Sequence, residues 1–136
     1  MIALSFTVPG KPIAKGRPRM TTRGGHARAY TPAKTVAYEG LIAMAGQDAM
    51  DGREPIAGPV YLVVTATFEI PKSWPAKKRA TAQWHTSKPD GDNILKAVGD
   101  GLNGVAWSDD SQVVQARISK TYGATPGLHV IVEEIG

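Results

Sequence analysis

The chain contains no cysteine. Disulfides, zinc–thiolate sites and a thiol nucleophile are therefore excluded, and the composition fits a reducing cytoplasm. Histidine is also scarce. His26, His85 and His129 lie far apart, with no HExxH and no Ser-His-Asp arrangement. Each reads as a surface or packing residue, His129 most plainly because it falls inside an alternating strand pattern. No apolar run is long enough for a membrane span, and MIALSFTVPGKP lacks the basic n-region of a signal peptide. The glycines and basic residues of GKPIAKGRPR do not follow the GxxxxGK[ST] order of a phosphate-binding loop. Internal repeats, low-complexity tracts and interdomain linkers are missing too. With 136 residues, 42% hydrophobic and 21% charged, the expectation is one cytoplasmic globular domain over residues 1–136, without membrane contact.

Two gaps in negative charge organise what is present. The first covers residues 1–34, which carry Lys11, Lys15, Arg17, Arg19, Arg23, Arg28 and Lys34, with no acid before Glu39. A segment of one sign suits a polyanion such as nucleic acid; from charge alone, a solubilising loop would look the same. The second gap runs from Glu69 to Glu133 and is broken only by Asp90, Asp92, Asp100, Asp109 and Asp110. A chain of net charge +4 thus gathers five of its twelve acidic residues into PDGDNILKAVGDGLNGVAWSDDSQVV, residues 89–114.

The local patterns predict an α+β, two-layer α/β fold in the order β-α-β-α-α-β-β, with helices packed on a mixed or antiparallel sheet. IALSFTV (2–8) alternates as a strand and stops at Pro9-Gly10. Residues 9–30, rich in Gly, Pro, Arg and Lys, have no periodicity and read as a long loop, a kind that is commonly functional. Thr31-Pro32 reads as an N-cap followed by a first-turn proline. Val36, Gly40, Leu41 and Met44 recur at helical spacing up to a stop near Asp51-Gly52. VYLVVTATFEI (60–70) is the strongest strand, and SWPAKKRATAQW (73–84) reads as a short basic helix. A further helix spans 92–103. QVVQARISKTY (112–122) and LHVIVEEI (128–135) alternate as strands, and the turn-rich GATPG between them suggests an antiparallel hairpin.

The aspartates fall at the junctions of these elements. Asp90 and Asp92 flank a glycine where the chain enters the 92–103 helix, and residues two apart in an extended approach project to one side. Helix capping by Asp92 would account for one of them and leave the other unexplained. At about 100° per residue, Ile94, Leu95, Val98 and Leu102 form a core stripe. Asp92, Lys96 and Asp100 form an i, i+4, i+8 ladder roughly opposite it, which is either a solvated face of ion pairs or a working face with Lys96 beside carboxylates. Trp107-Ser108-Asp109-Asp110 precedes a strand. If the helix packs on that strand, Asp109 or Asp110 approaches the Asp90/Asp92 pair. Crowded carboxylates are costly alone, but they suit Mg²⁺, which takes oxygen ligands from a few carboxylates, water and substrate phosphate. The acids would then hold metal against a substrate that the basic segment attracts.

DGDNILK (90–96) and WSDDSQV (107–113) resemble the D-x-D-N-x-x-K and W-x-D-D-x-Q-V signatures of RusA-type Holliday junction resolvases. The separation of the two signatures is similar as well, and the element order agrees over nearly the whole chain. The resemblance implies a homodimeric, Mg²⁺-dependent endodeoxyribonuclease, often carried by prophages, that cuts four-way DNA junctions symmetrically in recombination and repair, with Mn²⁺ able to substitute. It implies Asp90, Asp92 and Asp110 as metal-binding catalytic carboxylates and Lys96 as a charge stabiliser, with Asp109 the adjacent acid. Lys11, Lys15, Arg17, Arg19, Arg23 and Arg28 are the expected DNA-binding residues. Two departures stand out: Gly91 replaces a larger apolar residue, and the GKPIAKGRPR segment follows a divergent branch. A non-catalytic basic DNA-binding protein, or a nuclease for other branched or single-stranded DNA, is the alternative.

Overall fold

The computed structural model describes residues 1–16, 19–30 and 32–136, with Arg19 described in its backbone alone. It is an α+β fold built on a mixed four-stranded sheet. The elements are β1 (Ile2–Pro9), β2 (Arg19–Thr21), β3 (Arg28–Tyr30), α1 (Ala33–Met50), β4 (Val60–Phe68), α2 (Ala76–Ala80), α3 (Gly91–Leu102), a 3₁₀ turn (Asp110–Gln112), β5 (Val113–Tyr122) and β6 (Gly127–Glu134). The sheet order is β1-β6-β4-β5. β6 pairs antiparallel with both β1 and β4, and β5 pairs parallel with β4.

β4 is rich in β-branched residues and alternates strictly in burial. Val60, Leu62, Val64, Ala66 and Phe68 point into the core, where they meet Leu128, Val130 and Val132 of β6 and the apolar sides of α1 and α3. A strand this buried needs a partner on each edge to satisfy its backbone. That requirement overturns the hairpin expected across GATPG, because β4 lies between β5 and β6. The connection passes over the end of β4 instead, where the Gly123 N–H donates to the Phe68 carbonyl at 3.0 Å.

The segment read as a loop over 9–30 contains the short antiparallel hairpin β2–β3. It turns through Gly24 and Gly25, whose φ angles of 84° and 82° favour glycine. Strands of three residues with an exposed β3 leave no period to detect. The basic helix α2 is confined to 76–80. Beyond it the chain runs extended along β5, with His85 N–H donating to the Lys120 carbonyl and Tyr122 N–H to that of Gln83, at 3.0 and 2.9 Å.

In α1 the expected helix is present and ends at Asp51 in the left-handed conformation, but Pro32 occupies the cap position and Thr31 lies outside the described residues. The buried row is Thr35, Tyr38, Ile42, Gly46 and Met50, while Val36, Leu41 and Met44 are exposed. Close approach to α3 sets this choice. A Cβ on Gly101 would sit 2.9 Å from Ile42 Cγ2 and 3.1 Å from the Glu39 carbonyl, and one on Gly46 would sit 2.6 Å from Leu102 Cδ2. Two glycines therefore let the helices cross closely, which fixes the face that α1 buries. Among the described residues no helix is long and apolar enough to cross a membrane.

Candidate active site

Helix α3 begins at Asp90, which is extended (φ −69°, ψ 144°) and whose carboxylate makes no capping bond. Asp92 lies in the first turn and does not cap the helix either. Local packing explains the glycine between them: a Cβ at Gly91 would meet Ile118 of β5 at 3.3 Å. The segment leading into the helix is held by Lys120, whose Nζ donates to the carbonyls of Ser87 and Pro89, each at 2.7 Å. Ile94, Ala97, Val98 and Leu102 bury the opposite side of α3, with Leu95 half-buried beside them.

The second acidic segment is held differently. Trp107 is fully buried, and its indole N–H donates to Asn103 Oδ1 at 2.9 Å. Asp109 caps the 3₁₀ turn by accepting from the Ser111 N–H at 3.4 Å. Gln112 Oε1 accepts in return from the backbone N–H groups of Ser108 and Asp109, at 2.9 and 3.2 Å. The Gln112 Nε2 donates to the carbonyls of Ile56 and Gly58, at 2.7 and 3.0 Å, which fastens the turn to the approach to β4.

Capping directs Asp109 inward on its own turn and leaves Asp110 beside α3. A Cβ built on Gly99 would lie 3.9 Å from Asp110 Cβ, an ordinary van der Waals distance, which puts the aspartate directly against the helix. Asp92, Leu95, Lys96 and Gly99 of α3 and Asp110 and Val113 beyond it line one hollow of about 230 Å³. Asp92, Lys96 and Asp110 are all exposed there. The hydrogen bond with Asp109 is the main influence that raises the Asp110 pKa, followed by partial desolvation and the charges of Asp109 and Asp100. The same hydrogen bond, helped by Ser111, lowers that of Asp109. Asp109 thus keeps its charge, and Asp110 is the member of the pair that takes up a proton more readily.

The remaining aspartate of α3 is engaged elsewhere. Lys15 Nζ reaches Glu39 of α1 at 2.7 Å and Asp100 at 3.1 Å, while its backbone N–H donates to the Asn93 carbonyl at 3.0 Å. The Lys15 pKa is raised, chiefly by the Glu39 hydrogen bond. Lys15 therefore ties the N-terminal segment to both helices, and the ladder Asp92, Lys96, Asp100 splits between the hollow and this ion-pair triad. Asp90 is not one of the hollow's walls. Among the described residues, no three His, Asp or Glu side chains are grouped closely enough to hold a metal ion together. Of the expected DNA-binding residues, Lys11, Arg23 and Arg28 are exposed, whereas Arg17 and the side chain of Arg19 lie outside the described residues.

The residues that support the site differ in how far the sequence signals them. D-x-x-Q at 109–112 has the spacing of a capping box, so the role of Gln112 was open to detection there. Lys120 and the pairing of Lys15 with Asp100 depend on contacts across the fold and leave no local signal.

Beyond geometry, the model of the family described as Endodeoxyribonuclease RusA matches residues 9–133. The chain belongs to the RusA endodeoxyribonuclease family. Both RusA signatures, DGDNILK and WSDDSQV, fall inside the matched span. The chain is also 35% identical over 141 aligned residues to the uncharacterized protein YqaN of Bacillus subtilis (strain 168), with 99% of each chain covered.

Proposed function

We propose that this RusA-family chain is a divalent-metal-dependent, structure-selective endodeoxyribonuclease that resolves four-way DNA junctions in recombination and repair. One observation carries the reading most directly: Asp92, Lys96 and Asp110 share a single exposed hollow, while Asp109 and Asp100 are taken up by a cap and an ion pair. The donors suit a hard cation. Mg²⁺ is usually held by one or two carboxylates, with water and substrate phosphate completing its shell. Asp92 and Asp110 would supply those carboxylates, with Asp90, two residues before Asp92 in the chain, as a third acid outside the hollow, and Mn²⁺ would fit the same oxygen donors. A bound divalent ion supplies Lewis-acid polarisation of the phosphate and a more acidic water.

The residues of the chain account for the rest. Lys96, one turn after Asp92, lies where it can meet negative charge growing on the scissile phosphate. Lys11, Arg23 and Arg28 are each exposed and would meet phosphates on the arms of the junction, with Arg17 and Arg19 extending that role. The whole chain acts as one nuclease domain in the cytoplasm. A two-fold dimer suits a substrate that needs two symmetric cuts, and Val36, Leu41 and Met44 on the outer side of α1 give a second copy an apolar surface to cover.

The test is purified protein with a labelled synthetic junction, in Mg²⁺ and in EDTA. Paired, symmetric nicks that require Mg²⁺ are the expected result. Cutting of every DNA offered would make the chain a general nuclease. A mobility shift without any cut would make it a binding protein whose aspartates serve the fold.

A further inference from the structure

Four aromatic side chains outside the acidic hollow bound a second, larger one of about 450 Å³. Phe68 at the end of β4 stacks on His85, with ring centres 3.8 Å apart and planes within 13°. Tyr122 at the end of β5 meets both His85 and Trp74 edge-on, at 5.1 and 5.2 Å. Lys11 and Lys88 stand on the walls among these rings, with Glu69 a lone acid beside them. The volume falls in the range of small-molecule sites, and rings flanked by lysines are the means by which proteins hold unpaired nucleotides.

The place of this hollow gives it a purpose. Ser87 and Lys88 form part of its wall, and two residues later the chain reaches Asp90 and then α3. The strip between is clamped to β5 by Lys120 through the Ser87 and Pro89 carbonyls. Anything held among the rings is therefore at a fixed offset from the carboxylates of α3. His85 suits stacking as a neutral ring, since burial, with Lys120 and Lys11 nearby, pushes its pKa down from 6.5.

We propose that the hollow among Phe68, Trp74, His85 and Tyr122 receives one unstacked base of the DNA, with Lys11 and Lys88 on its flanking phosphates. This inference rests on the nuclease reading for its substrate, and it adds a contact that selects distorted DNA. A base that is already unpaired enters at little cost, whereas one in an intact duplex must first leave its stack. Glu69 on the same wall would repel a phosphate and offers an acceptor to a base amino group.

The experiment separates base from backbone. Trp84, largely exposed, is changed to Phe so that Trp74 and the buried Trp107 are the remaining emitters. In EDTA at low salt, this protein is titrated with a single-stranded pentadeoxynucleotide and with an abasic strand of equal length and charge. The base-bearing strand is expected to quench emission and to bind on the order of tenfold more tightly. By anisotropy of labelled strands, Trp74→Ala should bring the two affinities together, and Trp74→Phe should restore the preference. Equal affinities for both strands, or a preference that survives Trp74→Ala, would overturn the proposal. No branch and no metal enter this measurement, so it stands apart from junction cleavage. A chain that prefers bases but cuts nothing loses only the nuclease reading, and one that cuts junctions without preferring bases loses only this pocket.

Discussion

The two acidic segments of this chain look alike in sequence and differ in what the fold does with them. At 109–110 the first aspartate is held by a capping box and the second is left beside α3. At 90–92 neither carboxylate caps the helix that starts there. Further along the same helix, Asp100 shares Lys15 with Glu39 in an ion-pair triad. A clustered acid is thus not evidence of chemistry until its local hydrogen bonds have been traced. Once they are, Asp109 and Asp100 have structural employment, and Asp90, Asp92 and Asp110 do not.

The largest effects should come from the aspartates without such employment. Asp92→Asn and Asp110→Asn, and Asp90→Asn with them, are expected to lower junction cleavage by more than about 10³-fold, beyond the loss of a single preorganised donor. Junction binding should persist or tighten, since one negative charge facing the phosphates is gone. Wild-type cutting by any two of the three would erase the distinction drawn between the segments.

Next in size is Lys96→Ala. Single-turnover cleavage should fall on the order of 10²–10³-fold, with the Mg²⁺ dependence little changed. Normal turnover with a lowered melting temperature would instead make Lys96 a surface residue of the helix.

The capped segment should respond in stability. Gln112→Ala leaves the Ile56 and Gly58 carbonyls without their donor, at an expected cost of about 1–3 kcal/mol by denaturant titration. Asp109→Ala should destabilise more mildly, and both variants should still cleave at low temperature. Loss of cleavage in a folded Asp109→Asn protein would move that residue to the other class.

The smallest effect concerns Lys15. Lys15→Met should cost about 1 kcal/mol at neutral pH, the upper end for partly exposed pairs. The Lys15 pKa is raised in the folded state, so its stabilisation is complete below the ordinary lysine value of 10.5 and fades as the pH climbs through the raised one. Melting curves of the two proteins should therefore converge in alkali. A gap that persists there would point to packing of the aliphatic stem.

Legibility in the sequence followed the range of the forces involved. β4 and α3 are legible to within a residue or two, because alternation and the helical stripe are local signals. The burial of Val98 and Leu102 and the outward placement of Asp92 and Lys96 follow from the same wheel. What failed depended on partners distant in the chain. The apolar spacing of Val36, Leu41 and Met44 marked a helix correctly, yet the glycine crossing at Gly46 and Gly101 turned another row inward. GATPG looks like a hairpin turn until the unmet edges of β4 are counted. In the site, residue types and spacing suggested which acids to group. That Asp92 and Asp110 share a hollow from which Asp90 is absent is a matter of tertiary packing.

The strand order has a consequence in time. β4 is the third-from-last strand to be made, and both of its neighbours come after it. β1 waits as well, since its partner in the main sheet is β6. A nascent chain that ends before residue 113 therefore carries the most apolar strand with two bare edges, and closure of the sheet comes only with the final strand. Such edges are templates for pairing with other chains. Synthesis that pauses between β4 and β5 should be the moment at which this protein most needs a chaperone.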